Sequence, residues 1–230
     1  MKIIGLIGGM SWESTVTYYK IINEVIKKEL GGFHSAKCIL YSVDFHEIEA
    51  CQAKGEWDKS GELLAAAAVS LEKAGADFIV ICTNTMHKVV DIISEKLTIP
   101  ILHIAEATAE ELRKKGIQKV ALLGTKYTMQ QAFYKDVLIG KGIKVLVPDN
   151  ADIEIINTVI YQELCLGIIA ETSKNEFIRI IRELAAQGAE GIILGCTEIG
   201  LLIGQEDVHT PLFDTTIIHA TKAALYSIQE

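Results

Sequence analysis

The chain has little proline, three residues in 230, and few bases: 22 lysines and arginines face 30 aspartates and glutamates, for a formal net charge of −8. With so little proline and no low-complexity stretch, a long structureless linker is not expected. The acidic balance provides no basic stripe, which argues against nucleic acid or an anionic membrane surface as partner. Five cysteines, Cys38, Cys51, Cys82, Cys165 and Cys196, lack paired close spacing, so neither a disulfide framework nor a zinc ribbon is expected. His87 and His103 stand at no metal-ligand spacing from them. No apolar run approaches a membrane span, and Ile3 to Ile7 is too short for a signal-peptide core, so the expectation is a soluble, cytoplasmic protein. Gly5-Leu6-Ile7-Gly8-Gly9 is not a Gly-x-Gly-x-x-Gly fingerprint, and neither a phosphate loop nor a Gly-x-Ser-x-Gly elbow occurs. Dinucleotide chemistry and serine hydrolysis thus lose their best signals.

What the chain does have is half hydrophobic composition and an internal repeat. Leu71 to Thr83 lies over Leu184 to Cys196 at a constant offset of 113 (188 − 75; 196 − 83), which pairs Thr83 with Cys196. Lys2 to Ile7 closed by Gly8-Gly9 matches Lys119 to Leu123 closed by Gly124-Thr125, and Tyr18 matches Tyr134. Continuous apolar strands separated by helical segments indicate parallel sheets covered on both faces. Further strands are expected at Lys37 to Val43, Phe78 to Ile81, Ile101 to Ile104, Lys144 to Pro148, Gly191 to Leu194 and Leu212 to Phe213. Helices are expected at Ser14 to Leu30, Lys59 to Lys73, Ala105 to Lys115, Gln130 to Ile139, Ala151 to Cys165 and Ser173 to Gln187. Pro100 and Pro211 sit at equivalent places and suit interdomain crossings, which predicts lobe one at 1–98 plus 211–230 and lobe two at 99–210. The expected fold is α/β, with two pseudo-symmetric lobes, each a parallel sheet flanked by helices, and an active site in the interlobe cleft.

Ligands of open parallel sheets bind beyond the carboxyl ends of the strands. Four segments fall there: Gly8-Gly9-Met10-Ser11-Trp12, Cys82-Thr83-Asn84-Thr85-Met86-His87, Gly124-Thr125-Lys126, and Gly195-Cys196-Thr197-Glu198. Asn84, Thr85, Thr125 and Thr197 carry groups that suit an α-carboxylate and an ammonium, although such residues after a strand are also ordinary helix caps. Cys196 follows an apolar strand where a helix N-terminus lowers a thiol pKa, whereas Cys38, Cys51 and Cys165 read as inert core. Glu198 is either an orienting group or a solvated first-turn glutamate. His87 is equally a support of the site or a core residue, and His103 is structural.

These motifs resemble the aspartate/glutamate racemase superfamily along essentially the full chain: the Gly-Gly-Met-Ser opening, Thr83-Asn84-Thr85 followed by His87, Leu122 to Thr125, and Gly195-Cys196-Thr197-Glu198. Gly9 to Ser14, Val43 to His46 and Cys82 to His87 are most similar to its broad-specificity branch. The resemblance implies a cofactor-independent amino-acid racemase, a homodimer, in which one group removes the Cα proton and another returns a proton on the opposite face. The family's first cysteine is here Thr83, and Cys82, one residue earlier on the strand, is expected to point away. An alcohol, with a pKa on the order of 15–16, is a poor base beside a thiol. The expectation is therefore Cys196 as the strong acid/base and Thr83 as the weak one, with Met10, Gln52, Asn84, Thr85, Thr125, Thr197 and Glu198 around a small-molecule amino acid, and no metal or cofactor. The segment Phe45 to Gln52 holds no arginine or lysine for a distal carboxylate, so a neutral amino acid is as suitable as aspartate or glutamate. Two alternatives stand beside it: a cofactor-free decarboxylase of the same superfamily and a noncatalytic amino-acid-binding protein.

Overall fold

The computed structural model of the protein describes residues 1–229. The chain divides into two compact units, 1–104 with 219–230, and 105–218. In the first, strands β1 (Ile4–Gly8), β2 (Cys38–Ser42) and β3 (Phe78–Ile81) form a parallel sheet in the order β2-β1-β3. A single parallel bridge from Ile79 to Ile101 extends the sheet beyond β3. In the second, β4 (Lys119–Gly124), β5 (Lys144–Leu146), β6 (Gly191–Gly195) and β7 (Leu212–Asp214) form a parallel sheet in the order β5-β4-β6-β7. The α/β reading with two parallel sheets flanked by helices is what is found.

The continuous apolar runs are explained by burial on both sheet faces. Ile4, Leu6, Phe78 and Val80 pack with Tyr18, Ile22 and Ile26 of the helix Trp12–Leu30 and with Ala220, Ala223 and Ala224 of the helix Thr215–Ile228. Their neighbours in sequence, Ile7, Ile79 and Ile81, turn to the other face and pack with Leu64, Ala68 and Leu71 of the helix Trp57–Lys73. In the second unit β4 and β6 pack with the helices Asn150–Gln162 and Glu171–Ala186 in one core.

The duplication extends to side-chain detail. Asp77 Oδ2 accepts the Ile3 N–H at 2.6 Å, and its repeat mate Glu190 accepts the Gln118 N–H at 2.7 Å, each tying the start of one strand to its neighbour. The Tyr18 hydroxyl meets His219 Nδ1 at 2.8 Å inside the first unit, while the Tyr134 hydroxyl donates to Thr108 Oγ1 at 3.2 Å inside the second. His219 and Thr108 are themselves mates, since 219 − 108 equals the proline spacing 211 − 100. Each unit is thus closed by a helix that follows the other unit's last strand.

The unit boundaries lie later in the chain than the prolines suggested. Pro100 and Pro211 precede strand-forming segments that still belong to the sheet just completed: Ile101 bridges β3, and β7 pairs with β6. The separation falls at 104/105 and 218/219. Other local expectations shift as well. The segment Phe45 to Gln52 lies in a helix, Phe45–Lys54, opened by Asp44, which accepts the His46 N–H, and closed by the left-handed Gly55. The expected helix Gln130 to Ile139 is two helices, Lys126–Gln130 and Ala132–Gly140, because Gln131 between them is extended.

Candidate active site

In the second unit β4 and β6 end side by side at Gly124 and Gly195. A Cβ on Gly195 would lie 2.8 Å from the Leu123 carbonyl oxygen, so only glycine permits this close approach immediately before Cys196. Cys196 and Glu198 are both buried. The thiol donates to Glu198 Oε2 at 3.0 Å, and the half-buried Thr197 hydroxyl donates to the same oxygen at 2.7 Å. Burial, followed by the negative charge of Glu198, raises the Cys196 thiol well above its ordinary pKa. The helix-terminus activation expected from sequence is therefore outweighed by desolvation and by the neighbouring carboxylate. The thiol rests protonated, with its proton already directed at a base.

In the first unit the chain leaves β3 through Cys82 and Thr83. Cys82 continues the alternation and lies among Leu6, Tyr18 and Val80, where burial raises its pKa. It points into the core, as strand geometry required. Thr83 is half-buried, and Asn84 and Thr85 are buried at the opening of the short 3₁₀ turn Thr85–Val89. Met10 is buried in the core shared with Ile7 and Met86. Gln52 is buried too, and its amide donates to the Met86 thioether sulfur at 3.0 Å. Thr125 Oγ1 accepts the Thr128 N–H and caps the helix Lys126–Gln130, the ordinary role for such a residue. Within each unit the expected residues thus form groups: Thr83 to His87 on one turn, Cys196 to Glu198 around one carboxylate.

The sequence left His87 undecided; its partners define it. The Ile104 N–H can only donate, so His87 Nε2 accepts it at 3.2 Å, and Nδ1–H donates to the Thr83 carbonyl at 2.9 Å. By the same logic His219 Nε2–H donates to the Leu102 carbonyl at 2.8 Å while Nδ1 accepts from Tyr18. The rings of His103 and His219 stand 4.6 and 5.8 Å from that of His87. Both buried imidazoles are neutral: burial and then the neighbouring histidines hold His87 well below the usual range, and burial lowers His219 to about 3. His219, absent from the sequence reading, had one available signal, its place opposite Thr108 in the repeat.

Because both folded-state pKa values are depressed, the unfolded chain takes up protons as pH falls below about 6.5 while the folded chain does not. Stability is therefore expected to decline between pH 6.5 and 5, by about 1 kcal/mol per pH unit for each histidine. Urea unfolding at a series of pH values reads this slope, and a flat profile over that interval would remove the neutral assignment.

Among the described residues, no group of three or more His, Cys, Asp or Glu is placed to hold a metal ion, and no helix is long and apolar enough to cross a membrane.

A family profile described as Asp/Glu/Hydantoin racemase matches residues 7–223. The chain is 59% identical to a candidate Asp/Glu racemase of Yersinia pestis known from a crystal structure, with a TM-score of 0.93 and 100% of both chains covered. It is 38% identical to an aspartate racemase homologue of Pyrococcus horikoshii OT3, with a TM-score of 0.87, again over 100% of both chains. It is also 26% identical over 226 residues to the broad specificity amino-acid racemase RacX of Bacillus subtilis (strain 168), spanning 93% of each.

Proposed function

Because this chain belongs to the Asp/Glu/hydantoin racemase family, we propose that it racemises aspartate, glutamate or a related free amino acid, without added cofactor and in the cytoplasm, with Cys196 as the strong acid/base and Thr83 as the weak one. It is an enzyme of the isomerase class, in a family whose racemases work without PLP. The observation that carries the division of labour is the buried thiol–carboxylate hydrogen bond, for which the Thr83 side chain offers no counterpart in acidity.

In this reading the substrate carboxylate is received by hydroxyl, amide and backbone N–H groups at Asn84, Thr85, Thr125 and Thr197, which stabilise charge developing at the carboxylate as the Cα proton leaves. Met10 and Gln52 bound the side chain, and Gln52 sets a preference for an uncharged polar or acidic group. Proton transfer along the Cys196–Glu198 hydrogen bond leaves a thiolate and a carboxylic acid. The thiolate takes the Cα proton of one enantiomer, L by resemblance, and a proton returns from the Thr83 side to give the other.

Enantiomers are equally stable, so kcat/KM for L→D and D→L must be equal, and the asymmetry appears in solvent exchange instead. Proton NMR of L- and D-amino acids in D2O is expected to show loss of the L Cα–H signal at least about tenfold faster than inversion, because a proton returns more readily from the Cys196 side. Thr83→Ala is expected to slow inversion by about a hundredfold and to spare L-side exchange, while Thr83→Cys raises inversion above wild type. Exchange and inversion at equal rates, both unchanged in Thr83→Ala, would sink the role of Thr83. Silence across the panel would sink racemisation, with turnover of substituted malonates pointing to a decarboxylase and ligand-induced stabilisation alone pointing to a binder.

A further inference from the structure

We infer that the second unit binds a small free carboxylate between the end of the helix Glu171–Ala186 and the turn before β7, where the first unit places the carboxylate of its own Glu72. In the first unit Glu72 Oε1 accepts three hydrogen bonds: from the Thr98 N–H at 2.8 Å, the Thr98 hydroxyl at 2.6 Å and the Ile99 N–H at 3.1 Å. These donors, the Thr98 hydroxyl first, hold the Glu72 carboxyl below its ordinary pKa, so the turn favours an ionised acid.

The repeat carries the turn into the second unit without the carboxylate. Glu72 corresponds to Ala185 at the offset of 113, and Thr98-Ile99-Pro100 corresponds to His209-Thr210-Pro211 at the offset of 111. The backbone follows the same correspondence. The Pro100 carbonyl accepts the Ile79 N–H at 2.9 Å, and the Pro211 carbonyl accepts the N–H of Ile192, the mate of Ile79, also at 2.9 Å. Where the first unit has Glu72, the second has a cleft of about 360 Å³ bordered by Ala185, His209 and Thr210. Among the described residues, neither the His209 nor the Thr210 N–H has a hydrogen-bond partner.

Arg182, one turn before Ala185, borders the same cleft, and among the described residues its guanidinium has no carboxylate partner. A guanidinium beside two backbone donors suits a planar anion with two oxygens. Ile181 and Val208 supply apolar wall for a short hydrocarbon body, and the volume is that of a small-molecule site. The acids of the lining limit the ligand's charge. Asp207 is neutralised by Lys174 at 2.7 Å, whereas Glu206 has no such cation and disfavours a second negative group. The class is therefore a monocarboxylic acid of a few carbons. The cleft lies at the amino end of β6, and Cys196 follows its carboxyl end, so binding here is separate from the reaction and its test needs no activity.

The full chain, labelled with nitrogen-15, is titrated with isovalerate at constant ionic strength. The His209 and Thr210 amide protons are expected to move downfield and to saturate with a Kd of about 1 mM, ordinary for so small an acid. The Thr98 and Ile99 amides, already bonded to Glu72, stay in place. Arg182→Ala, at an exposed position, is expected to weaken binding at least about tenfold. Ala185→Glu, at a half-buried one, supplies the carboxylate from the chain itself: the same two amide protons move downfield without isovalerate and no longer respond to it. Overturning results are no saturable displacement in the wild type, equal displacement by isovaleramide or sodium chloride, or displacement confined to residues around Cys196. Unchanged affinity in Arg182→Ala, or amides that keep their position and their response in Ala185→Glu, would overturn it as well.

Discussion

Cys196→Ser is expected to slow Cα–H exchange of L substrates by at least about a thousandfold while the protein still folds and binds ligand. Serine is nearly isosteric, and its hydroxyl can still donate to Glu198 across the 3.0 Å separation, so packing and the hydrogen bond are retained. What is lost is acidity. The thiol is raised above its ordinary value by burial and by Glu198, yet an alcohol in the same place suffers the same two penalties from a starting point on the order of 15–16. Exchange followed by NMR with a saturating amino acid separates this loss from weakened binding. A variant that retains exchange within tenfold of wild type would remove Cys196 from the chemistry.

Glu198→Gln tests a different property of the same hydrogen bond. The glutamine oxygen can accept the thiol proton's hydrogen bond but cannot take the proton, so the buried thiol must lose it to water instead. A fall of about a hundredfold in exchange near neutral pH is expected. The alkaline limb of the pH profile moves the other way. In the wild type the carboxylate's charge helps raise the thiol pKa, and thiolate forms by loss to solvent only at high pH. Removing that charge lowers the thiol pKa, so the limb shifts to lower pH even as the neutral rate falls. An unchanged neutral rate with only the limb displaced would reduce Glu198 to an electrostatic neighbour.

Much of this architecture was legible before the coordinates. Burial on both faces produces continuous apolar runs, and these marked β1, β3, β4 and β6. The helix Phe45–Lys54 was missed because its mean hydropathy and periodicity are weak, although Asp44 and Gly55 at its ends carry the capping chemistry that marks helix termini. Thr125 illustrates the opposite limit. Its position after a strand fits either a cap or a ligand contact, and only the Thr128 N–H on its oxygen shows which of these the fold already uses.

The amino-acid sequence by itself determined the repeat, and with it the correspondence of Thr83 with Cys196, of Asp77 with Glu190 and of Tyr18 with Tyr134, because offsets and side-chain types are properties of the linear chain. It also determined the inward direction of Cys82, since alternation along a strand is local geometry. Tertiary structure alone decided that the Cys196 proton is held by Glu198 and that His87 is a neutral donor to Thr83, because protonation depends on burial and on partners brought from distant parts of the chain. It alone decided which of two apolar lines on the helix Trp12–Leu30 faces the core. Both lines repeat at helical spacing, and hydrophobicity by itself does not record that Tyr18, Ile22 and Ile26 are buried while Trp12, Val16 and Tyr19 stay exposed.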